Sequence, residues 1–240
     1  MNILAVDTAS KSCSVAVVCD QRVLSETTLH TQETHSTHLM EMIASAIHQS
    51  KIAKHDLDGY AVTIGPGSFT GLRIGISTMK GIAEATGKPL VGVSSLDALA
   101  LACASSNIPV CAMLDARRGE VYYAWYGFEH DRIKTKTKEA VAPPRQIALG
   151  REETCLFVGD GSAVYREILM ERFGDRAQFA ESACNHIRAV HVAWLGREKI
   201  GCSCDAGAKV VPRYIRKCDA EVKAGIGKPA SAIIDNLSAF

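Results

Sequence analysis

The chain has 240 residues, 47% hydrophobic and 22% charged, with a formal net charge of +1. That is an ordinary soluble composition, long enough for one or two domains, and it excludes a global field that would select nucleic acid or a membrane. Nine cysteines are scattered without any Cys-x-x-Cys, the closest pair being Cys202-Ser-Cys204, which points to free thiols in a reducing cytosol rather than a disulfide framework or a zinc site.

Met1-Asn-Ile-Leu-Ala-Val runs into Asp7 with no basic leader, too short for a signal peptide or a membrane span, so a cytoplasmic location is expected. Ile3 to Val6 reads as a strand ending at Asp7, Thr8 to Ser12 as a polar turn, Ser14 to Cys19 as a second strand, Asp20-Gln21 as a hairpin turn, and Val23 to Thr28 as a third strand. Asp7, with Thr8 and Ser10 after it, could hold a metal ion or frame a phosphate; the plainer alternative is an Asx turn that ends the strand.

Leu29 to Thr34 reads as a loop, and Ser36 or Thr37 as the cap of a helix running to about Ser50. His30, His35 and His38 invite a metal reading. The zincin pattern, however, needs spacing four and a glutamate, whereas Ser36-Thr37 fill the gap here, which favours a capped helix start with exposed imidazoles. Leu39, Met40, Met42, Ile43, Ala44, Ala46 and Ile47 cover an arc of about 200°, wider than packing on one sheet requires.

Tyr60 to Ile64 is a buried strand, stopped by Gly65-Pro66-Gly67 and followed by Ser68-Phe69-Thr70-Gly71-Leu72-Arg73-Ile74-Gly75. Ser68 or Thr70 can cap a helix over 70–86. A phosphate loop would place Lys and Ser or Thr after Gly71, and a dinucleotide fingerprint would place two residues between Gly67 and Gly71, so both fingerprints fail and a tight strand-to-helix turn is favoured over anion binding. On the helix, Arg73, Ser77, Lys80 and Glu84 make a narrow polar stripe, Leu72, Ile76, Met79 and Ala83 an apolar face, and Ile74, Thr78, Gly81 and Ala85 a second face of small or β-branched residues. A helix with two such faces is covered twice, by its own sheet and by another helix or a partner.

Strand 90–93 and helix 95–105 follow, and then the order restarts. Val110 to Leu114 leads into Asp115 as Ile3 to Val6 leads into Asp7; Ala116 to Gly119 is the turn, Glu120 to Phe128 and Ile133 to Thr137 are strands, and Pro143-Pro144 opens a short helix. Leu156 to Gly159 is a strand entering Gly159-Asp160-Gly161, followed by helices 163–173 and 187–200. Meander strands followed by β-α-β units, twice over, make a duplicated mixed α/β architecture. Arg117-Arg118 could bind phosphate or an acidic partner, or be a solvated turn. No Gly-x-Ser-x-Gly elbow occurs, and only Cys218 beside Lys217 has a basic neighbour. A basic stretch, 208–228, leads into a tail over 219–240.

The two halves, each starting strand, Asp, turn, hairpin, resemble the actin, sugar-kinase and Hsp70 ATPase superfamily, with RNase H-like lobes. Within it, Val6-Asp-Thr-Ala9, the Gly65-to-Gly75 signature, Pro89-Leu-Val-Gly-Val-Ser-Ser-Leu-Asp-Ala-Leu99, Asp115-Ala-Arg-Arg-Gly-Glu-Val-Tyr122 and Pro212-Arg-Tyr-Ile-Arg216 resemble the TsaB (YeaZ) family. That resemblance implies an accessory, non-catalytic subunit of the bacterial machinery that makes N6-threonylcarbamoyladenosine beside the tRNA anticodon. It would dimerise with and stabilise a catalytic TsaD subunit, work with a small ATPase, TsaE, form a homodimer when alone, and meet tRNA indirectly. TsaD relatives carry a metal-binding His-x-x-x-His where this chain has Ser94, Ser95 and Leu96 to Ala100, so no metal and no cofactor are expected. Ala9, where the family often has Ser, weakens a phosphate role for the first turn. The alternatives are an actin-like nucleotide-binding homodimer and a metalloprotease-like enzyme.

The expected organisation is an N-terminal lobe over 1–105, a C-terminal lobe over 106–218 and the tail. The motif residues are Asp7, Thr8, Gly65, Gly67, Ser68, Thr70, Gly71 and Arg73; the expected partner interface is Leu39, Met40, Ile43, Ile47, Leu72, Ile74, Ile76, Thr78, Met79 and Gly81.

Overall fold

The computed structural model describes residues 1–30, 34–147, 153–201 and 210–216. The predicted tail over 219–240, most of the basic stretch and Cys218 lie outside them. By its contacts the chain forms two compact units: Met1–Ala98 with His186–Arg213, and Leu99–Asn185 with the chain from Tyr214.

The first unit is built on a five-stranded sheet. β1 (Asn2–Asp7), β2 (Ser12–Cys19) and β3 (Arg22–His30) form the meander; α1 (His35–Ser50) leads to β4 (Gly59–Gly65), and α2 (Phe69–Thr86) to β5 (Leu90–Ser94). The strand order is β3-β2-β1-β4-β5, antiparallel where hairpins join the strands and parallel where helices do. β1 is buried on both faces, as central strands covered on each side must be.

Register shows what covers each face, because paired residues point the same way. Leu4 pairs with Val17, and Val17 with Ser25, whose hydroxyl donates to the Ala46 carbonyl of α1 at 2.7 Å. Ala5 pairs with Ala16 and Ala61, and this opposite face carries α6 (Ala189–Gly201), the last helix of the described chain. Gly196 lets α6 approach: a Cβ there would stand inside 3.0 Å of Ala61. The first two amides of α6 are taken by side chains of this sheet, Ala189 N by Ser14 Oγ at 3.0 Å and Val190 N by the Glu26 carboxylate at 3.3 Å. Glu26 also binds the Arg188 guanidinium. Thus a helix from the second half of the sequence completes the first unit.

α3 (Ser95–Ala100) leads into the second unit, where β6 (Val110–Arg117), β7 (Glu120–Glu129), β8 (Arg132–Lys136), β9 (Ala140–Ala142), β10 (Cys155–Val158), α4 (Asp160–Val164), α5 (Arg166–Phe173) and β11 (Ala177–Phe179) follow. The order β11-β10-β6-β7-β8 repeats that of the first sheet, strand for strand, with β9 added along β7. This is the duplicated actin-like architecture expected from the two Asp-terminated strands. Its core is Met113, Trp125, Phe157, Leu169 and Phe173 with Cys111 and Cys155, and the Phe157 ring packs on Phe173 at 5.1 Å between centroids.

Three sequence expectations differ in detail. The residue before α1 is Thr34, whose hydroxyl reaches the Ser36 hydroxyl rather than an amide, so neither Ser36 nor Thr37 caps the helix. Helix 95–105 is a single α-helical run to Ala100 followed by a tighter turn over Leu101–Cys103. Helix 163–173 breaks at Tyr165 into α4 and α5.

Candidate functional site

The glycine-rich stretch between β4 and α2 meets the turn after β1. Asp7 and Thr8 are fully buried. Asp7 Oδ1 accepts from Thr63 Oγ1 at 2.7 Å and from Ala9 N at 3.1 Å, the latter closing an Asx turn. Thr8 Oγ1 donates to the Gly71 carbonyl at 2.8 Å, which ties the turn to the first turn of α2.

This docking uses the signature glycines. A Cβ on Gly67 would stand inside 3.0 Å of the Ala9 carbonyl, one on Gly71 inside 3.0 Å of the Thr8 carbonyl, and one on Gly75 inside 3.0 Å of Thr8 Oγ1. Two of the amides that would greet an anion are spent on the chain itself. Ser68 N donates to the Ala9 carbonyl at 2.7 Å, and Gly71 N to Ser68 Oγ at 3.2 Å, which makes Ser68 the cap of α2. At the other end, Arg213 N donates to the Ile64 carbonyl at 2.7 Å, and the Arg213 carbonyl crowds Gly65, whose φ of +116° suits glycine alone. Thr70 and Arg73 are exposed on α2.

His35, expected to be an exposed imidazole, is buried. Its Nε2 donates to the Ser10 carbonyl at 2.9 Å and its ring edge lies against Gly71. A Cβ on Gly71 would stand 3.2 Å from the ring's Cδ2, a tighter contact than usual. His38 is half-buried and His30 exposed. The His30 ring meets His186 edge-on at 4.8 Å, and burial pushes the His186 imidazole below its usual range. Among the described residues no three His, Cys, Asp or Glu side chains gather as a metal site would need.

The second unit repeats the arrangement more sparely. Asp115 N donates to Asp160 Oδ1 at 2.9 Å, Asp115 Oδ1 accepts from Arg117 N at 2.8 Å, and Gly159 and Gly161 press on the backbone of Met113 and Leu114. Arg117 and Arg118 stand exposed on the β6–β7 turn. Burial holds the thiols protonated: Cys13 is pushed up to about 12, helped by Asp7, while Cys103 and Cys155 are pushed up to about 11, and Cys111 rises too. None of these is a thiolate nucleophile near neutral pH.

The expected interface residues divide. Leu39 and Ile43 on α1, and Leu72, Ile76 and Met79 on α2, are at most 3% exposed and face this chain's own interior. Here the structure corrects the sequence reading: α1 packs on β2, β3 and α2, and α2 on β4 and its neighbours, so most of the wide apolar arc is consumed inside the unit. What remains is Met40, 57% exposed, and half-buried Ile47 on α1, with half-buried Ile74 and Thr78 and exposed Gly81 on α2. A Cβ on Gly81 would meet no atom within 4 Å.

Sequence reasoning missed Thr63, although a hydroxyl near the end of an otherwise apolar strand is a readable sign of a buried acceptor. It also passed over the Ala9 carbonyl, because backbone acceptors leave no residue-type signal.

Residues 18–224 match the family model described as TsaD, tRNA N6-adenosine threonylcarbamoyltransferase. The TsaB protein of Bacillus subtilis, named for tRNA threonylcarbamoyladenosine biosynthesis, is 28% identical over 93% of this chain and 97% of its own length. Its namesake from Escherichia coli is 38% identical over 61% of this chain and 64% of its own. YeaZ from Pseudomonas aeruginosa superposes with a TM-score of 0.76 at 27% identity, over 89% of this chain and 99% of that one. No helix among the described residues is long and apolar enough to cross a membrane. A duplicated actin-like fold, the closed glycine-rich turn and matches across nearly the whole chain converge: this chain belongs to the tRNA N6-adenosine threonylcarbamoyltransferase family, in its TsaB (YeaZ) group.

Proposed function

We propose that this chain is a non-catalytic scaffold subunit in the formation of N6-threonylcarbamoyladenosine on tRNA, dimerising with a TsaD-like catalytic subunit and stabilising it. The observation that carries the reading is the closed turn. Ser68 N and the faces of Gly67, Gly71 and Gly75 are committed to Thr8 and Ala9, so the place where an actin-like lobe would cradle phosphate is packed with this chain's own backbone. A subunit that keeps the fold of its catalytic relatives while filling the catalytic turn is suited to hold a partner.

The surface offered to that partner is the strip left over on α1 and α2: Met40, Ile47, Ile74, Thr78 and Gly81. Small residues let helices approach closely, and the same strip would serve a homodimer when TsaD is absent. TsaE joins as the ATPase of the complex, and no cofactor is assigned to this chain.

Co-purification tests the reading. Tagged wild-type chain should bring down a TsaD-like subunit, and Gly81→Arg should not. A guanidinium forced into a desolvated seam costs about 3 kcal/mol or more, at least a hundredfold in Kd. A Cβ there would meet no atom within 4 Å and arginine is a better helix former than glycine, so the variant should melt no lower than the wild type. A Gly81→Arg chain that still captures TsaD would move the interface elsewhere. Micromolar ATP binding by the isolated wild-type chain would favour a nucleotide-binding homodimer instead.

A further inference from the structure

Helix α6 enters the first unit through a cluster of imidazoles. His186 is the residue at which the chain returns to that unit, and its ring stands perpendicular to that of His30 on β3, with centroids 4.8 Å apart. His191, in the first turn of α6, is 5% exposed. Its Nδ1–H donates to the Ala98 carbonyl of α3 at 3.0 Å, and its ring packs on Trp194 at 5.6 Å. Between the two histidines in sequence lies Arg188, bound by Glu26 of β3, which also accepts from Val190 N at 3.3 Å.

Few charges surround this entry. Register puts Glu26 and His30 on the α6 face of β3, since Glu26 pairs with Ala16 and His30 with Ser12. Asp7, opposite Ser14, ends β1 on the same face and accepts from Thr63 Oγ1 and Ala9 N. The elements β2, β4 and β5 bring no carboxylate or cation, only Cys13, Cys19 and Tyr60, to which acid adds no charge. Asp97 is the charged residue of α3. The first turn of α6 has no acidic residue, so the positive end of its dipole is answered by Glu26, a carboxylate shared with Arg188. Burial, then His30, then Arg188 hold the His186 imidazole below its usual range, and burial with Arg188 lowers His191 to about 4.

We infer that α6 is an acid-released cover, docked on the first sheet while His186 and His191 are neutral and lifting from it when both take up protons. Protonation adds two positive charges to a helix start that already holds Arg188 and the positive end of the dipole, one of them in a site stripped of water. The cost vanishes once α6 leaves and the rings meet solvent. A folded value lowered from 6.5 favours the docked state above 6.5, and that support is lost as pH falls toward 4. The second unit has no matching trigger. Among the buried residues of its core the titratable groups are Cys111 and Cys155, and acid gives a thiol no charge. Release is thus confined to the first unit, where it bares Ala5, Ala16 and Ala61.

Hydrogen exchange of the full chain from pH 7.5 to 4.5, with labelling times scaled to the intrinsic exchange rate, provides the test. At pH 4.5 the protection of α6 should fall about fiftyfold or more, the shift in opening equilibrium that a folded value of about 4 against 6.5 gives, while β6 and β10 keep theirs. His186→Phe keeps a ring beside His30, His191→Asn keeps a donor for Ala98, and neither new side chain can charge. The double variant should therefore hold α6 down across the whole range. Glu26→Gln should let α6 go at a higher pH than the wild type does. Wild-type α6 that stays protected at pH 4.5, or that loses protection together with β6 and β10, overturns the inference without recourse to any variant. So does release of α6 in the double variant at the same pH as in the wild type.

Discussion

Two glycines on one helix should respond in opposite directions to the same substitution. Gly75→Ala places a Cβ inside 3.0 Å of Thr8 Oγ1, the atom that donates to the Gly71 carbonyl. Overpacking costs about 1–3 kcal/mol. Disrupting the buried hydrogen bond costs about another 1–3 kcal/mol. Alanine's better helix propensity returns about 1 kcal/mol. The net is a loss of about 3 kcal/mol. Gly81→Ala meets nothing within 4 Å and keeps only the propensity gain, about 1 kcal/mol. With a urea m-value of about 2 kcal/mol/M, the midpoint should fall by about 1.5 M for Gly75→Ala and rise by about 0.5 M for Gly81→Ala. Amide hydrogen exchange of β4 and α2 assigns the change to the first unit. Thr8→Ala removes the colliding oxygen, and the next nearest atom, the residue 8 Cβ, lies at 3.4 Å. The Gly75→Ala, Thr8→Ala double variant should thus be more stable than Gly75→Ala alone by about 2 kcal/mol, a coupling that independent sites do not show. If Gly75→Ala melts with the wild type, or if Thr8→Ala adds to the damage, the signature glycines are not there to admit the first turn.

Two titrations follow from burial. His191, fixed by its Nδ1–H to the Ala98 carbonyl at 3.0 Å, is lowered to about 4 from 6.5 by desolvation, with Arg188 adding repulsion. A lowered folded pKa means that stability is whole above 6.5 and is lost as pH falls toward 4, by about 3 kcal/mol. Denaturant midpoints measured against pH should show this loss, and His191→Asn, which keeps a donor for Ala98, should flatten it. The thiols act at the other end of the scale: Cys13 rises from 9.0 to about 12, so its contribution is complete below pH 9 and is lost as pH climbs toward 12. Native protein at pH 8 should accordingly leave Cys13, Cys103 and Cys155 unreacted with a thiol reagent until denaturant is added; rapid labelling of all three would contradict their burial.

The duplication could be read because Asp7 and Asp115 each end a strand ahead of a hairpin, and such a local pattern survives without tertiary knowledge. The Gly65-to-Gly75 spacing likewise excluded the phosphate-loop and dinucleotide fingerprints, and in the structure its glycines admit the backbone of Thr8 and Ala9. The interface was only half legible. A helical wheel reports that Leu39, Ile43, Leu72, Ile76 and Met79 are covered, but not whether a neighbouring element or another molecule covers them. His35 misled for a related reason, since the acceptor that holds it inside is the backbone carbonyl of Ser10, which leaves no residue-type signal. Nor does periodicity tell a helix which sheet to join, so nothing local in residues 189–201 announces that they pack on strands from the start of the chain.

That last feature bears on the order of events during synthesis. When the ribosome has released only the first unit's five strands and two helices, Ala5, Ala16, Ala61 and Val91 still lack the helix that will shield them. The sheet must wait through the translation of residues 99–185 of the second unit before Gly196 can settle over Ala61. The N-terminal lobe is therefore finished only after all the strands of the second unit have been made, and a nascent chain halted before residue 189 would present a greasy, strand-rich face for chaperones to hold or for other chains to capture.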